Sequence, residues 1–159
     1  CWVSVGSAER LAYCESLGAS GGVVRGDDLQ ALNDFAPFDV VLDPVGASYA
    51  ELNLKVLGRD GRWVIIGLMG GRKADLDLAL VLGKRIQITG STLRNRDDQF
   101  KADLLSDLHQ QVWPLFAEGR LKPQLVGSYS VADAQSAFEE LAGNQVSGKL
   151  VLVVDPSLV

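Results

Sequence analysis

Residues 38–67 read FDVVLDPVGASYAELNLKVLGRDGRWVIIG, and this stretch decides the fold. The apolar run at 38–43 ends in a Pro-x-Gly turn, which predicts a buried strand. A helix is predicted from about Ser48 to Leu57, and a second, almost wholly apolar strand at 62–67. Strands of this composition are typical of the centre of a parallel sheet that helices cover on both faces. The order strand, helix, strand therefore predicts an α/β fold.

The same alternation continues on both sides of this stretch. The predicted strands cover 2–5, 21–24, 85–89 and 148–154, with an extended segment at 121–131. The predicted helices cover 7–17, 27–35, 76–83, 98–118 and a last segment around 134–141. Pro114 is expected to kink or end the longest helix. Polar and apolar residues alternate at 85–89, which predicts a strand at the sheet edge.

The glycine-rich Gly-x-Gly-x-x-Gly loop that normally cradles a pyrophosphate does not occur in the sequence. Its strand would be the centre of the sheet, between the strands at 2–5 and 38–43. The predicted fold is thus a partial Rossmann-type doubly wound parallel sheet that lacks its first βα unit, plus a C-terminal strand-helix-strand segment. We expect a domain boundary near residue 120, between 1–120 and 121–159, and we expect the chain to be part of a longer polypeptide.

How such a sheet closes stays open at the level of sequence. The strand at 2–5 can slide beside the strand at 38–43, a partner chain can fill the gap, or residues outside this sequence can do so. Each alternative gives a different neighbour to the strand at 38–43.

Composition excludes several classes of function. The 159 residues have a net charge of −5, and 47% are hydrophobic, so neither a nucleic-acid surface nor an anionic-membrane surface is expected. Two cysteines and one histidine provide no zinc-ligand spacing and no disulfide framework. No apolar segment reaches the length of about 18 residues that a membrane span needs. A reduced, cytoplasmic setting is the default expectation.

The end of the first strand carries the most specific signal. Dinucleotide-binding folds usually place an Asp or Glu at the end of the second strand, where it holds the adenosine ribose 2′-OH. Gly6 and Ser7 occupy this position, and Arg10 follows one helical turn later. A carboxylate would repel a 2′-phosphate, whereas a hydroxyl, helix N–H groups and a guanidinium would hold one. The alternative is Ser7 as an ordinary helix N-cap beside a solvated Arg10.

Ligands of open α/β sheets lie beyond the carboxyl ends of the strands. The further strand ends are followed by residues 43–46, 67–71 and 90–93, and all three segments contain glycine. Glycine permits close approach of backbone to a ligand, although it is also an ordinary turn residue. Asp43, which precedes a proline, is interpreted as the start of a turn and is assigned no chemistry.

The ordered motifs resemble one family. They are Gly6-Ser7-x-x-Arg10-Leu11, Leu17-Gly18-Ala19, Leu42-Asp43-x-Val45-Gly46, the stretch 57–71, Leu93-Arg94-Asn95-Arg96-Asp97 and Gly148-Lys149-Leu150-Val151-Leu152. In order and spacing they are similar to the zinc-independent, zeta-crystallin-like quinone oxidoreductases of the medium-chain dehydrogenase/reductase superfamily. The p53-inducible branch is the most similar, and the resemblance covers essentially the whole chain, as the C-terminal half of such an enzyme.

The resemblance implies an NADPH site along the strand ends. Gly6, Ser7 and Arg10 would hold the 2′-phosphate, and Arg25 would do so in place of the family's tyrosine. The remaining implied cofactor-binding residues are Val45 and Gly46 along the cofactor, Gly67, Leu68, Met69 and Gly70 at the nicotinamide ribose, and Thr92 and Leu93 near the nicotinamide ring.

The resemblance also implies what the chain does not contain. The family's catalytic and quinone-binding residues come mainly from an N-terminal domain, so no catalytic residue and no metal ligand is assigned here. The segment from about residue 121 would return to that domain and would expose an apolar surface. Family dimers pair edge strands equivalent to 85–90, so a homodimer through this edge is expected.

The expected function is the cofactor-binding portion of an NADPH-dependent oxidoreductase. Its substrate would be a small-molecule quinone or α,β-unsaturated carbonyl, reduced by hydride transfer. The alternatives are an enoyl reductase fragment and a non-catalytic α/β nucleotide-binding module. A methyltransferase-like sheet would need an acidic ribose ligand near residue 6, and Gly6-Ser7 argues against it.

Overall fold

The computed structural model describes residues 1–26, 29–143 and 146–155. Two compact units divide the chain, Cys1–Arg96 and Asp97–Val159. The boundary expected near residue 120 refers to the domains of the whole family enzyme, and it stays a prediction.

The first unit alternates strands and helices. Its elements are β1 Trp2–Val5, α1 Ala8–Ser16, β2 Gly21–Val24, a 3-10 helix Leu29–Phe35, β3 Phe38–Asp43, a 3-10 helix Ala47–Tyr49, α2 Ala50–Val56, β4 Leu57–Ile65, α3 Leu78–Lys84 and β5 Gln87–Gly90. The α/β class predicted from the sequence is confirmed. The helix predicted at 27–35 is a 3-10 helix from Leu29, and Asp27 and Asp28 lie outside the described residues.

The strands of the first unit form two parallel sheets. β1 pairs with β2 from Trp2↔Gly21 to Val5↔Val24. β4 pairs on one side with β3 and on the other with β5, so the predicted central position of this apolar strand is confirmed. Among the described residues no ladder joins β1 to β3. The strand at 2–5 therefore has not moved beside the strand at 38–43.

The core of the first unit lies between α2 and the three-stranded sheet. Ala50 and Leu54 of α2 pack with Leu57, Trp63 and Ile86, and all five are buried. The apolar side chains of α2 face the sheet because they recur at helical spacing. This packing holds α2 directly behind the turn that leaves β3.

The C-terminal end of α2 is capped by a lysine from α3. Lys84 Nζ donates hydrogen bonds to the carbonyl oxygens of Leu54 (2.9 Å), Lys55 (2.7 Å) and Leu57 (2.7 Å). The last carbonyls of a helix have no partner within it and carry partial negative charge. One ammonium group therefore satisfies several acceptors at the point where α2 turns into β4.

The strand at 38–43 differs from its prediction. It was expected to be buried, yet Val40 is 45% exposed and Leu42 is 63% exposed. Among the described residues, β3 pairs with β4 alone, so it is an edge strand of its sheet. A run of apolar residues predicts a strand but does not say whether another segment lies over it. β4 also differs, because it begins at Leu57, opposite Phe38, rather than at residue 62.

The second unit contains two helices followed by a strand-helix-strand segment. Its elements are α4 Asp98–Gln111, α5 Trp113–Ala117, β6 Leu125–Ser130, a 3-10 helix Val131–Asp133, α6 Ala134–Ala142 and β7 Lys149–Val153. The predicted break near Pro114 is confirmed, because α4 ends at Gln111 and Pro114 stands in the first turn of α5. β6 and β7 are parallel, and Phe138 and Leu141 of α6 are exposed. No helix within the described residues combines the length and hydropathy needed to cross a membrane.

Candidate cofactor-binding site

Four of the predicted site residues come together where β1 ends, and we call them the arginine corner: Gly6, Ser7, Arg10 and Arg25. Ser7 is the N-cap of α1, and its Oγ accepts a hydrogen bond from the Arg10 amide at 3.3 Å. The Arg25 amide donates to the Val5 carbonyl at 2.7 Å, which places Arg25 beside the end of β1. A Cβ built on Gly6 would lie 3.3 Å from Arg10 Nη1 and 3.4 Å from Arg25 Nη2. Both guanidinium groups therefore lie against the backbone of Gly6.

The electrostatics of the arginine corner favour an anion. Two like charges repel each other, and an anion held between them reverses that energy. The first N–H groups of α1 add a partial positive charge at the same strand end. Glu9 is the acidic residue in the first turn of α1. The acidic residues Asp27 and Asp28, which follow Arg25 in sequence, lie outside the described residues.

A second group of predicted residues forms two loops, 44–47 and 67–71, which we call the loop pair. Three backbone hydrogen bonds join the loops: from Met69 N to Pro44 O (3.2 Å), from Gly70 N to Val45 O (2.7 Å) and from Ala47 N to Gly71 O (3.0 Å). The Ile66 amide donates to the Asp43 carbonyl at 2.8 Å and continues the β3–β4 ladder into the loops. The two loops are therefore one hydrogen-bonded structure.

The glycines of the loop pair allow the loops to approach each other. A Cβ on Gly67 would lie 2.7 Å from the Pro44 carbonyl oxygen, and a Cβ on Gly70 would lie 2.2 Å from Ser48 Oγ. Gly46 has a φ of 84°, a conformation that favours glycine. The sequence predicted that these glycines let the backbone approach a ligand. In the structure they also let the two loops approach each other. Whether these residues also bind a cofactor stays a prediction.

Leu68 and Met69 lie at the tip of the loop pair, where Met69 is 85% exposed. An open cavity of about 200 Å³ lies beneath this tip. Its lining is largely apolar, with one guanidinium, and includes Gly46, Trp63, Ile65, Leu68, Arg72 and Ile88.

Thr92 and Leu93 follow β5 and are exposed. The Ser91 amide donates to the Ile65 carbonyl at 2.9 Å, which places the start of this segment beside the end of β4. Thr92 Oγ1 accepts a hydrogen bond from the Arg94 amide at 3.4 Å. No hydrogen bond among the described residues joins Thr92 or Leu93 to the arginine corner or to the loop pair, so they form a third part of the predicted site.

Sequence reasoning missed two features that connect these parts. Asp43 is buried at the end of β3 and holds the first loop of the pair through its side chain. The hydroxyl oxygens of Ser4 and Tyr49 lie 3.0 Å apart, so a side-chain hydrogen bond links β1 to the 3-10 helix that follows the first loop of the pair. The acidic residue before a proline was a signal for the first feature. No sequence signal points to the second, because Ser4 and Tyr49 are distant along the chain.

Metal ligation has no support in the described residues. No group of three or more His, Cys, Asp and Glu side chains that could hold a metal ion occurs in them. The exposed Cys1 and the half-buried Cys14 are both free thiols.

Among curated proteins, two relatives illustrate the range of the matches. The chain is 30% identical over 122 residues to the spectinabilin polyketide synthase system protein NorB of Streptomyces orinoci, covering 75% of this chain and 5% of that protein. It is 26% identical over 155 residues to quinone oxidoreductase-like protein 2 of Bos taurus, covering 94% of this chain and 44% of that one. The chain therefore spans less than half of the length of either relative.

Solved structures share the fold. A thermostable alcohol dehydrogenase from Pyrobaculum aerophilum is 31% identical, with a TM-score of 0.69, over 96% of this chain and 42% of that one. The Escherichia coli quinone oxidoreductase complexed with NADPH is 24% identical, with a TM-score of 0.77, over 96% of this chain and 49% of that one. The Rossmann-like character of the fold predicted from the sequence is confirmed by these similarities.

A family model described as zinc-binding dehydrogenase matches residues 18–152, which include both loops of the loop pair, Arg25 and the segment after β5. The match covers most of the chain and agrees with the fold of the solved neighbours. The chain belongs to the zinc-binding dehydrogenase family of the medium-chain dehydrogenase/reductase superfamily, as a domain of the C-terminal type.

Proposed function

We propose that this chain is the cofactor-binding portion of an NADPH-dependent oxidoreductase that reduces quinones or α,β-unsaturated carbonyls by hydride transfer. The observation that carries the proposal is the approach of Arg10 and Arg25 to Gly6, at the strand end where an NAD-specific site would have a carboxylate. Planar guanidinium groups match the geometry of a phosphate.

Each part of the site has a separate task in this proposal. The arginine corner binds the adenosine 2′-phosphate, and the backbone of the loop pair orients the nicotinamide half. Thr92 and Leu93 limit the position of the nicotinamide ring. The bound cofactor supplies the hydride, while this chain fixes its orientation and surroundings. No acid–base residue is assigned.

The family's name implies a zinc ion, but the described residues do not fit one. They contain no set of metal-ligating side chains, so no step is assigned to zinc. The zinc-independent quinone oxidoreductase branch is proposed on the ordered motifs of the sequence and on the 26% identical quinone oxidoreductase-like relative. A cytoplasmic location accompanies that proposal.

A second candidate, an enoyl reductase portion, has one specific observation in its favour. Of the two curated relatives described, the polyketide synthase protein has the higher sequence identity to this chain, 30% against 26%. Both candidates use a nicotinamide hydride, so turnover of a 1,4-quinone against turnover of an enoyl thioester distinguishes them. NADPH binding with turnover of either substrate would exclude a non-catalytic binding module.

Cofactor preference is tested by titrating the chain with NADPH and with NADH while following nicotinamide fluorescence. Arg10→Glu should weaken NADPH binding by at least about tenfold, because a charge-assisted pair becomes a repulsion, and should change NADH binding little. Lys122 is an exposed residue of the second unit, and Lys122→Glu controls for the effect of reversing a charge at a residue outside the arginine corner. Equal losses for the two cofactors would refute the NADPH assignment.

A homodimer through β5 is part of the proposal. Within the described residues, β5 pairs only with β4, so its outer edge offers free amide and carbonyl groups to a second copy. Light scattering over a range of protein concentrations tests this, and a monomer throughout would contradict it.

A further inference from the structure

Asp43 is the most completely buried charged residue among the described residues, with 2% of its surface exposed. It stands at the end of β3, where the chain enters the loop pair. Four N–H donors surround its carboxylate, two from the backbone and two from side chains. A carboxylate accepts hydrogen bonds at both oxygens, so one side chain can satisfy all four donors.

The two carboxylate oxygens contact different parts of the structure. Oδ2 accepts from Asn53 Nδ2 of α2 at 3.0 Å and from Trp63 Nε1 of β4 at 2.9 Å. Both donors are buried, so this oxygen is fixed within the core. Oδ1 accepts from the Val45 amide at 2.7 Å and from the Gly46 amide at 3.0 Å. One oxygen therefore anchors the side chain, and the other holds the turn.

The turn that Oδ1 holds is the first loop of the loop pair. Gly46 adopts φ 84° and ψ −124°, outside the conformations that other residues readily accept. The second loop is bonded to the first through the Gly70 and Ala47 amides. The position of both loops therefore depends on the Asp43 carboxylate.

We propose that Asp43 is a positioning residue that sets the geometry of the nicotinamide half of the cofactor site. The inference rests on the proposed function, since it assigns the loop pair to the nicotinamide half. Asp43 makes no described contact with the arginine corner, so binding of the adenosine half should be independent of it. That independence separates a positioning role from a general contribution to folding.

The test compares two ligands on one variant. NADPH needs both halves of the site, whereas 2′,5′-ADP carries the adenosine and the 2′-phosphate without nicotinamide. Asp43→Asn should weaken NADPH binding by about tenfold or more, because an amide NH2 then faces N–H donors. Binding of 2′,5′-ADP should change by less than about twofold.

Asn53→Ala is the matched control. It removes one donor to Oδ2, lies outside the lining of the cavity beneath the loop pair and leaves both bonds to Oδ1 in place. It should lower the denaturant midpoint while leaving the ratio of NADPH to 2′,5′-ADP affinity unchanged. A fall of this ratio in Asn53→Ala equal to that in Asp43→Asn would show that Asp43 acts only through stability and would overturn the proposal.

Asp43→Ser covers the case in which Asp43→Asn does not fold. A serine hydroxyl can still accept from a backbone amide two residues on, but more weakly. The ratio of NADPH to 2′,5′-ADP affinity should then fall by about threefold or more relative to Asn53→Ala, and an equal ratio in the two variants would overturn the proposal. Failure of the wild-type chain to bind either ligand would refute the proposed function instead.

Discussion

Arg10 and Arg25 come from different elements, yet both guanidinium groups lie within 3.4 Å of the Cβ position of Gly6. Arg10 belongs to the first turn of α1, and Arg25 directly follows β2. The parallel pairing of β1 with β2 produces this approach, because it brings the carboxyl ends of both strands to the same edge. A Cβ at position 6 would be tight against the Arg10 guanidinium and in ordinary contact with the Arg25 guanidinium.

Arg25 is predicted to contribute to NADPH selectivity independently of Arg10. Arg25→Ala should weaken NADPH binding by about tenfold and NADH binding by less than about twofold, because only NADPH carries the 2′-phosphate. Arg25→Lys should recover part of the loss, since it keeps the charge but not the planar fork. Fluorescence titration measures both affinities. Arg59→Ala, at an exposed residue of β4, should change neither, and NADH losses matching those of NADPH would contradict the prediction.

Lys84 is predicted to stabilise the fold through the end of α2. Lys84→Met keeps the aliphatic stem but removes the three hydrogen bonds to carbonyl groups. Because Lys84 is partly exposed, the expected loss in the free energy of unfolding is about 1–2 kcal/mol. Urea unfolding of Lys73→Met, where the lysine is exposed, should differ from wild type by less than about 0.5 kcal/mol. A similar effect of both variants would rule out the capping contribution.

Two glycine-to-alanine substitutions should have effects of opposite sign. A Cβ on Gly70 would lie 2.2 Å from Ser48 Oγ and 2.6 Å from Val45 Cγ1, so Gly70→Ala should destabilise the chain by about 1–3 kcal/mol. Nothing lies within 4 Å of the Cβ position of Gly83 in α3, so Gly83→Ala should stabilise it by about 0.5–1 kcal/mol. Adding Ser48→Ala to Gly70→Ala should recover part of the loss. Thermal unfolding of the four proteins checks these signs, and a stabilising Gly70→Ala would mean that the loops are not in close contact.

Tyr129 provides a prediction for alkaline pH. Its hydroxyl donates a hydrogen bond to the Glu140 carboxylate, and this bond, together with desolvation and the nearby negative charge, raises the pKa of Tyr129 above its usual value. A pKa raised in the folded state contributes stability below the unfolded pKa, near 10, that is lost as the pH rises through the folded value. Glu140→Gln should therefore lower the pKa of Tyr129 and weaken the loss of stability at high pH.

The ultraviolet absorbance of tyrosinate follows this titration, and Tyr129→Phe identifies which of the three tyrosine transitions belongs to it. If the Tyr129 transition occurs at the same pH in Glu140→Gln as in the wild type, the Glu140 carboxylate does not hold the phenol proton. Urea midpoints measured across the same pH range give the accompanying change in stability.

Local patterns in the sequence predicted the elements well. The strand at Phe38–Asp43 and the helix start at Ser7 follow from apolar runs and capping chemistry, and both are observed. The early start of β4 was missed because Arg59-Asp60-Gly61 resembles a turn, whereas the Phe38↔Leu57 pair extends the ladder to the N-terminal side of it. Exposure of Leu42 was missed because it depends on the segments around β3, which a local run does not specify.

The candidate site was predictable where it depends on sequence neighbours. Ser7 and Arg10 share one helical turn, so their proximity follows from the helix itself. The donors to Asp43 stand 10 and 20 residues away, at Asn53 and Trp63, and only tertiary packing brings them to one carboxylate. The glycines of the loop pair also allow the close approach of the neighbouring loop, which local sequence does not specify, and their contact with a cofactor stays a prediction.

The hydrogen bond between Ser4 and Tyr49 has a mechanical consequence. Either hydroxyl can donate or accept, so the bond needs no particular orientation of the two hydroxyl hydrogens. A β ladder would instead fix two strands in register along their length. This contact joins the first sheet to the second at a single point, and a dinucleotide that reached from Arg10 to Gly46 would add a second link between them.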